Sequence, residues 1–297
     1  MTELLLAHGE ALSNLPLFVA QAWGFFRDRG LTVTVPKLSG TSSTIALLRS
    51  GAAQIGTTGF TQPLSDYGAA DPLRIIAGSG VGGMAVMIHP DSVATAPAAL
   101  RFGTFFEDPM EVLLYEAIDR YQGAREHCDI RYFDTLPQAI TAMRRREIDA
   151  CTFIEPMISQ LEELGFKKMC DAADVWGADY PDTVLVTRQR FLQQHPDVVD
   201  AVIKALLEAE NAIKADPRGT LSSVAGFYPG VPLAVLMKGL ARQPPQIDIR
   251  PLGGVIINRF QALVAMGRLT PPDDPCSVLD FSRLSAMLAQ TATEYPL

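Results

Sequence analysis

Residues 15–56 read LPLFVAQAWGFFRDRGLTVTVPKLSGTSSTIALLRSGAAQIG, and this stretch constrains the fold more tightly than any other. A proline-started apolar segment closes on FFRDRGL, a β-branched run ends at SGTSS, and a second helical segment ends at ALLRSGAAQIG. The grammar is helix, strand, glycine turn, helix, strand. Over the first expected helix, 16–27, Phe18, Ala22, Phe25 and Phe26 recur at i, i+4, i+7 and i+8 and make one apolar stripe. Gly30 stands at its natural stop. Strands are expected over 4–7, 31–38 and 54–57, with a helix over 42–49. Such alternation predicts an α/β protein whose sheets are covered on both faces.

The alternation continues. A strand over 73–77 runs into AGSGVGG, residues 77–83, which has neither the spacing nor the following helix of a phosphate loop. It reads better as a hinge, because glycines absorb the dihedral changes a crossing between lobes needs. A second unit follows, with strands at RFGTFF, 129–133, 148–153 and 167–171 and helices over 109–121, 136–146 and 156–164. TVLVTR, 183–188, reads as the return crossing. Beyond it the chain turns helical, and Val199, Val202, Ile203 and Leu206 form an i, i+3, i+4, i+7 stripe behind the start signal HPD.

Charge and composition exclude some function classes. The net charge of −8 argues against a nucleic-acid partner, which would show itself as a basic face. No stretch approaches the roughly 20 apolar residues of a membrane span. The four cysteines and four histidines are scattered, so neither a metal site nor a disulfide framework is expected. No cofactor motif is found, and no cofactor is expected.

Ligands of open α/β sheets bind beyond the carboxyl ends of the strands. That rule selects six segments: 8–14, 39–43, 57–61, 103–107, 152–156 and 180–182. In SGTSS, Gly40, Thr41 and Ser42 offer amide and hydroxyl donors at a helix start, suited to a carboxylate or sulfonate; simple capping explains the same residues. Ser13, Asn14, Thr58, Thr104 and Asp182 are further candidate ligand-binding residues. Phe60 and Phe105 are candidate apolar walls, with the hydrophobic core as the alternative. Glu155 emerges at a strand end, either as an acceptor for an amine on the ligand or as a charge placed at a helix N-terminus. Asp149 reads as a turn or capping residue.

LPLFVAQAWGFFRDRGL, ALLRSGAAQIG and EIDACTFIEP together resemble the periplasmic substrate-binding proteins of the aliphatic-sulfonate, taurine, nitrate and thiamine-pyrimidine type. The resemblance implies the two-lobed type II periplasmic-binding fold, two mixed sheets flanked by helices with a hinge between lobes. Residues 1–84 and 185–297 would form one lobe and 85–184 the other. It further implies a binding protein of an ABC importer, with a small-molecule ligand and a permease partner. The captured solute would be a small organic anion or heteroaromatic. The location would be periplasmic or lipid-anchored if Met1 replaces a removed signal, and cytoplasmic if Met1 is native. The alternative is a cytoplasmic enzyme or sensor on the same scaffold, like the desulfinase or the pyrimidine phosphate synthase. Its candidate acid–base groups are His8, Glu10 and Glu155.

Overall fold

A computed structural model describes residues 2–9, 11–36, 41–95, 99–121, 128–177, 179–271 and 273–294, with the side chains of 41–43 and 290–294 outside that description. Gly40 and Glu10 therefore lie outside the described residues. The chain opens with β1 (Thr2–Ala7), α1 (Leu15–Ala22), β2 (Leu31–Thr34), α2 (Thr41–Ser50), β3 (Ile55–Gly59), α3 (Thr61–Ser65) and β4 (Leu73–Val81). It continues through β5 (Met84–Ile88), β6 (Arg101–Thr104), α4 (Pro109–Tyr121), β7 (Asp129–Tyr132), α5 (Leu136–Arg144), β8 (Ala150–Ile154), α6 (Met157–Glu163), β9 (Lys167–Asp171) and α7 (Ala172–Trp176). After β10 (Pro181–Arg188) come α8 (Gln189–Gln194), α9 (Pro196–Ala215), α10 (Pro217–Val224), α11 (Leu233–Arg242), α12 (Gly253–Ala265) and α13 (Ser282–Glu294).

Two five-stranded sheets result, ordered β2-β1-β3-β10-β4 and β7-β6-β8-β5-β9. Both are mixed. β1 runs parallel to β2 and β3, and β10 antiparallel to β3 and β4. β6 runs parallel to β7 and β8, and β5 antiparallel to β8 and β9. The chain passes from the first sheet to the second at Gly82 and Gly83, both at positive φ, and is back in the first sheet by Pro181. A side chain would strain both glycine positions. The protein is thus a two-lobed α/β fold.

Apolar periodicity explains the packing. The stripe of α9 is buried, with Val199, Val202, Ile203 and Leu206 joining Leu6, Leu12 and Phe18 in the first-lobe core. Val86, Phe102, Leu113 and Phe153 centre the second. The first helix ends earlier than expected, at Ala22, and a turn and a short 3-10 segment at Arg27–Arg29 complete the approach to Gly30. In each sheet the strand order reverses beside one strand: β1 has β2 and β3 on its two sides, and β6 has β7 and β8. The loops after β1 and β6 diverge there and leave a crevice.

Candidate functional site

The crevices of the two sheets meet in one small cavity of about 40 Å³. From the first lobe come Gly9, Ala11 and Asn14 after β1, Thr44 of α2, Thr57, Thr58 and Gly59 at the end of β3, and Asp182 and Thr183 at the start of β10. From the second come Ile154, ending β8, and Asp108, Pro109 and Met110 where α4 begins. The lobes approach closely: a Cβ on Gly59 would stand 2.5 Å from Pro109 Cδ. Thr61 Oγ1 donates to Glu107 O at 2.9 Å, and Leu12 N–H donates to Glu155 O at 2.9 Å, both across the cleft.

Two aspartates dominate the wall, each 4% exposed. Asp108 Oδ1 accepts Met110 N–H at 3.0 Å, the bond of a helix N-cap. Asp182 Oδ2 accepts from Thr183 Oγ1 at 2.9 Å and lies 2.7 Å from Ser13 Oγ. Among the described residues neither carboxylate has a basic partner. Burial pushes Asp108 up to about 7, and the nearby charges of Asp182 and Glu111 push it the same way. Burial pushes Asp182 up to about 6, against the Ser13 and Thr183 hydrogen bonds. Two wall hydroxyls, Thr44 Oγ1 and Thr58 Oγ1, are buried without any hydrogen-bond partner. Such orphans are rare in native interiors.

Of the residues singled out in the sequence, Asn14, Thr58 and Asp182 stand in the cavity wall. Asn14 is fully engaged in shaping it, donating to Gly9 O and Ala11 O at 3.1 Å each and accepting from Thr57 Oγ1. Ser13 sits one layer back, on Asp182. Thr41 and Ser42 open α2, the helix whose first turn brings Thr44 to the cavity. Thr104 faces inward to Thr152, 3.0 Å between hydroxyls. Phe60 is core, edge-on to Trp176 at 6.0 Å. Phe105 lines a neighbouring opening of about 280 Å³ with Phe106, Ile45 and Arg49.

Glu155 is fully buried but does not line the cavity. Its Oε2 accepts Ser159 N–H at 3.1 Å, and its Oε1 lies 3.4 Å from Arg242 Nη1 of α11. Burial raises its pKa against those two partners. It ties the lobes together through both backbone and side chain. His8 is held by Gly9 O at 2.7 Å through Nδ1 and stands edge-on to Phe18 at 4.9 Å. Burial lowers its pKa. Neither residue is placed for acid–base work on an occupant of the cavity. Thr44, Asp108, Pro109, Met110 and Thr183 are wall residues outside the six segments selected from the sequence. Asp108 had a signal, an Asp-Pro pair opening a helix, but only the tertiary fold reveals its burial. Among the described residues no group of three or more His, Cys, Asp or Glu is placed to hold a metal.

Comparison with known proteins gives a family match, a sequence relative and structures of the same fold. The model of the family described as NMT1/THI5 like matches residues 12–220. The taurine-binding periplasmic protein of Escherichia coli (strain K12) is 28% identical over 273 residues, 86% of this chain and 84% of that protein. The alkanesulfonate-binding protein SsuA from Xanthomonas axonopodis pv. citri, bound to MOPS, matches with a TM-score of 0.77 at 19% identity, covering 94% of this chain and 98% of its own. The periplasmic nitrate-binding protein NrtA from Synechocystis PCC 6803 matches with a TM-score of 0.81 at 15% identity, covering 100% of this chain and 89% of its own. At those identities the two structures establish the shared fold. Because the family match spans most of its length, this chain belongs to the NMT1/THI5-like family.

Proposed function

We propose that the chain is an extracytoplasmic solute-binding protein serving an ABC importer, closing its two lobes on a small organic anion or heteroaromatic solute of the sulfonate, taurine, nitrate or pyrimidine-like classes. The lobes in this reading follow the expected split of residues 1–84 with 185–297 against 85–184, except that the second boundary is drawn at the start of β10, so that residues 181–184 count with the first lobe. One observation carries the reading. One small cavity between the sheets is walled by residues of both lobes at strand termini and helix starts. The relatives are named as a periplasmic taurine-binding protein and an alkanesulfonate-binding protein, which supports capture of a small solute; the importer, and a permease as the partner of the closed form, belong to the proposal. No helix among the described residues is long and apolar enough to cross a membrane. Gly40, Thr41 and Ser42 remain proposed donors at the start of α2, with Asn14, Thr58 and Asp182 in the cavity wall and Ser13 behind Asp182.

The enzyme alternative gains nothing from the cavity, since neither His8 nor Glu155 lines it. Native mass spectrometry of the purified chain, with small-angle scattering before and after ligand addition, tests the proposal. The expected result is one unchanged small molecule per chain and a compaction on binding. Thermal stabilisation should grow as RT ln(1 + [L]/Kd), about 2.7 kcal/mol at a hundred times Kd. Turnover of the bound compound, or binding with no change in dimensions, would overturn it.

A further inference from the structure

We infer that the cleft selects solutes carrying a positively charged nitrogen, an ammonium or amidinium group, seated between Asp108 of one lobe and Asp182 of the other. The inference rests on the solute-binding reading above and narrows its ligand class. It sets amine-bearing zwitterions and amidines apart from nitrate and simple sulfonates.

Charge balance is the first support. Asp108 and Asp182 both face the cavity, and among the described residues no lysine, arginine or histidine lines it. The arginines around the cleft are committed elsewhere: Arg49 to Asp66, Arg268 to Glu111, Arg259 to Glu116, and Arg242 to Glu155 and Glu162. A bare anion entering this space would meet two carboxylates in a low dielectric with no counter-charge among the described residues. A cation would meet two partners.

The second support is independent of the aspartates. Thr44 and Thr58 are 1% and 4% exposed, line the same cavity, and leave their hydroxyls unpartnered. A polar ligand group accounts for both, because a buried hydroxyl without a partner is costly to keep. The wall then reads as an acidic pair for the charged nitrogen and a hydroxyl pair for the polar remainder.

The local duties of the aspartates do not explain their charge. Asp108 caps α4 with one oxygen, and asparagine caps as well as aspartate. Asp182 accepts hydroxyl hydrogens from its neighbours, which an amide oxygen also does. What only carboxylates supply is negative charge on both sides of a closing cleft. Empty, that charge opposes closure; with a cation between, it drives closure. The ligand thereby gains the differential affinity for the closed state that a closing protein requires.

The test is calorimetric titration of the dialysed chain at pH 7.5 with matched probes. The pairs are 2-aminoethanesulfonate against 2-hydroxyethanesulfonate and benzamidine against benzamide, with nitrate alone as a further probe. Any co-purified compound is identified by native mass spectrometry. We expect the cationic member of a pair to bind at least tenfold tighter, or a co-purified compound to carry a basic nitrogen. D108N and D182N should each reduce that preference at least tenfold, weakening the cationic member far more than the neutral one, and neither should lower the melting temperature of the unliganded chain. A merely structural aspartate would weaken both members alike. Equal or tighter binding of the neutral member or of nitrate, or a co-purified compound without a basic nitrogen, overturns the inference and leaves the solute-binding reading standing. If no probe binds and nothing co-purifies, the inference falls, and the solute-binding reading is judged separately by the scattering and thermal-shift measurements above.

Discussion

Asp108 and Asp149 belong to the same lobe, and both are largely buried, yet their surroundings treat them in opposite ways. Asp149 sits at the start of β8 with both oxygens occupied. Oδ1 accepts from Ser92 Oγ at 3.0 Å and Arg101 Nη2 at 3.1 Å, and Oδ2 accepts from Arg101 N at 3.0 Å and Nε at 2.8 Å. The Arg101 hydrogen bond holds its pKa down at about 2. Asp108 has one backbone donor and, among the described residues, no cation, and its pKa is pushed up to about 7. One carboxylate is satisfied within the fold and helps hold the strand starts together. The other costs the empty protein stability, as a buried carboxylate without a counter-charge does, and the proposed cationic ligand would supply that counter-charge.

The largest expected effect separates them directly. A carboxyl that ionises near 7 rather than near 3.8 destabilises the folded chain by about 4 kcal/mol at pH 8. D108N should therefore stabilise the unliganded protein at pH 8 by up to that amount. The sign follows from linkage. Below 3.8 both folded and unfolded forms are protonated and the substitution changes little. As pH rises the unfolded state ionises first, so the gap opens between pH 4 and 7 and then levels off. The charges that face Asp108 are Asp182 and Glu111, and Glu111 is itself held by Arg268. Denaturant unfolding of both proteins from pH 4 to 8 measures the gap. A flat difference across that range would mean Asp108 is not buried as described.

D149N should show the mirror image. Its depressed pKa contributes about 2.5 kcal/mol at neutral pH, present above 3.8 and lost as pH falls through about 2. The variant should lose that much stability at pH 7, with the difference shrinking in acid. If both variants moved stability in the same direction, the contrast between a pocket carboxylate and a structural one would collapse.

The sequence exposed this contrast only in part, for physical reasons. Alternating periodicity was enough to reveal two α/β units and the glycine crossing, because burial on sheet faces repeats locally. The strand-end rule led to Asn14 and Thr58, since the carboxyl ends of parallel strands sit at predictable places; Asp182 was singled out with them, yet it stands at the start of β10, which runs antiparallel to its neighbours. The rule stopped at residue 107, one short of Asp108. An Asp before a helix-opening proline is usually an exposed cap, and its burial depends on the other lobe arriving. Glu155 was legible as a strand-end carboxylate, but its partner Arg242 is 87 residues away. Asp149 looked like a turn residue because Arg101, 48 positions earlier, cannot be paired with it from the sequence.

A pair of glycines carries the comparison from charge to packing, with smaller effects. A Cβ at Gly103, inside the second lobe, would lie 2.7 Å from Ile148 Cδ1, 2.8 Å from Phe133 Cε2 and 2.9 Å from Cys151 Sγ. G103A overpacks one lobe's core and should cost about 1–3 kcal/mol of folding stability. At Gly59 the Cβ meets Pro109, and that contact exists only while the lobes are together. G59A has an escape that G103A lacks, because the lobes need only part by a fraction of their closure. Its melting temperature should stay near that of the parent, while ligand affinity falls about tenfold, or about 1.4 kcal/mol. Scattering should find it more open at partial saturation. A loss of folding stability in G59A matching that of G103A would show that the lobes do not separate, and the cavity would then be an internal void of one rigid body.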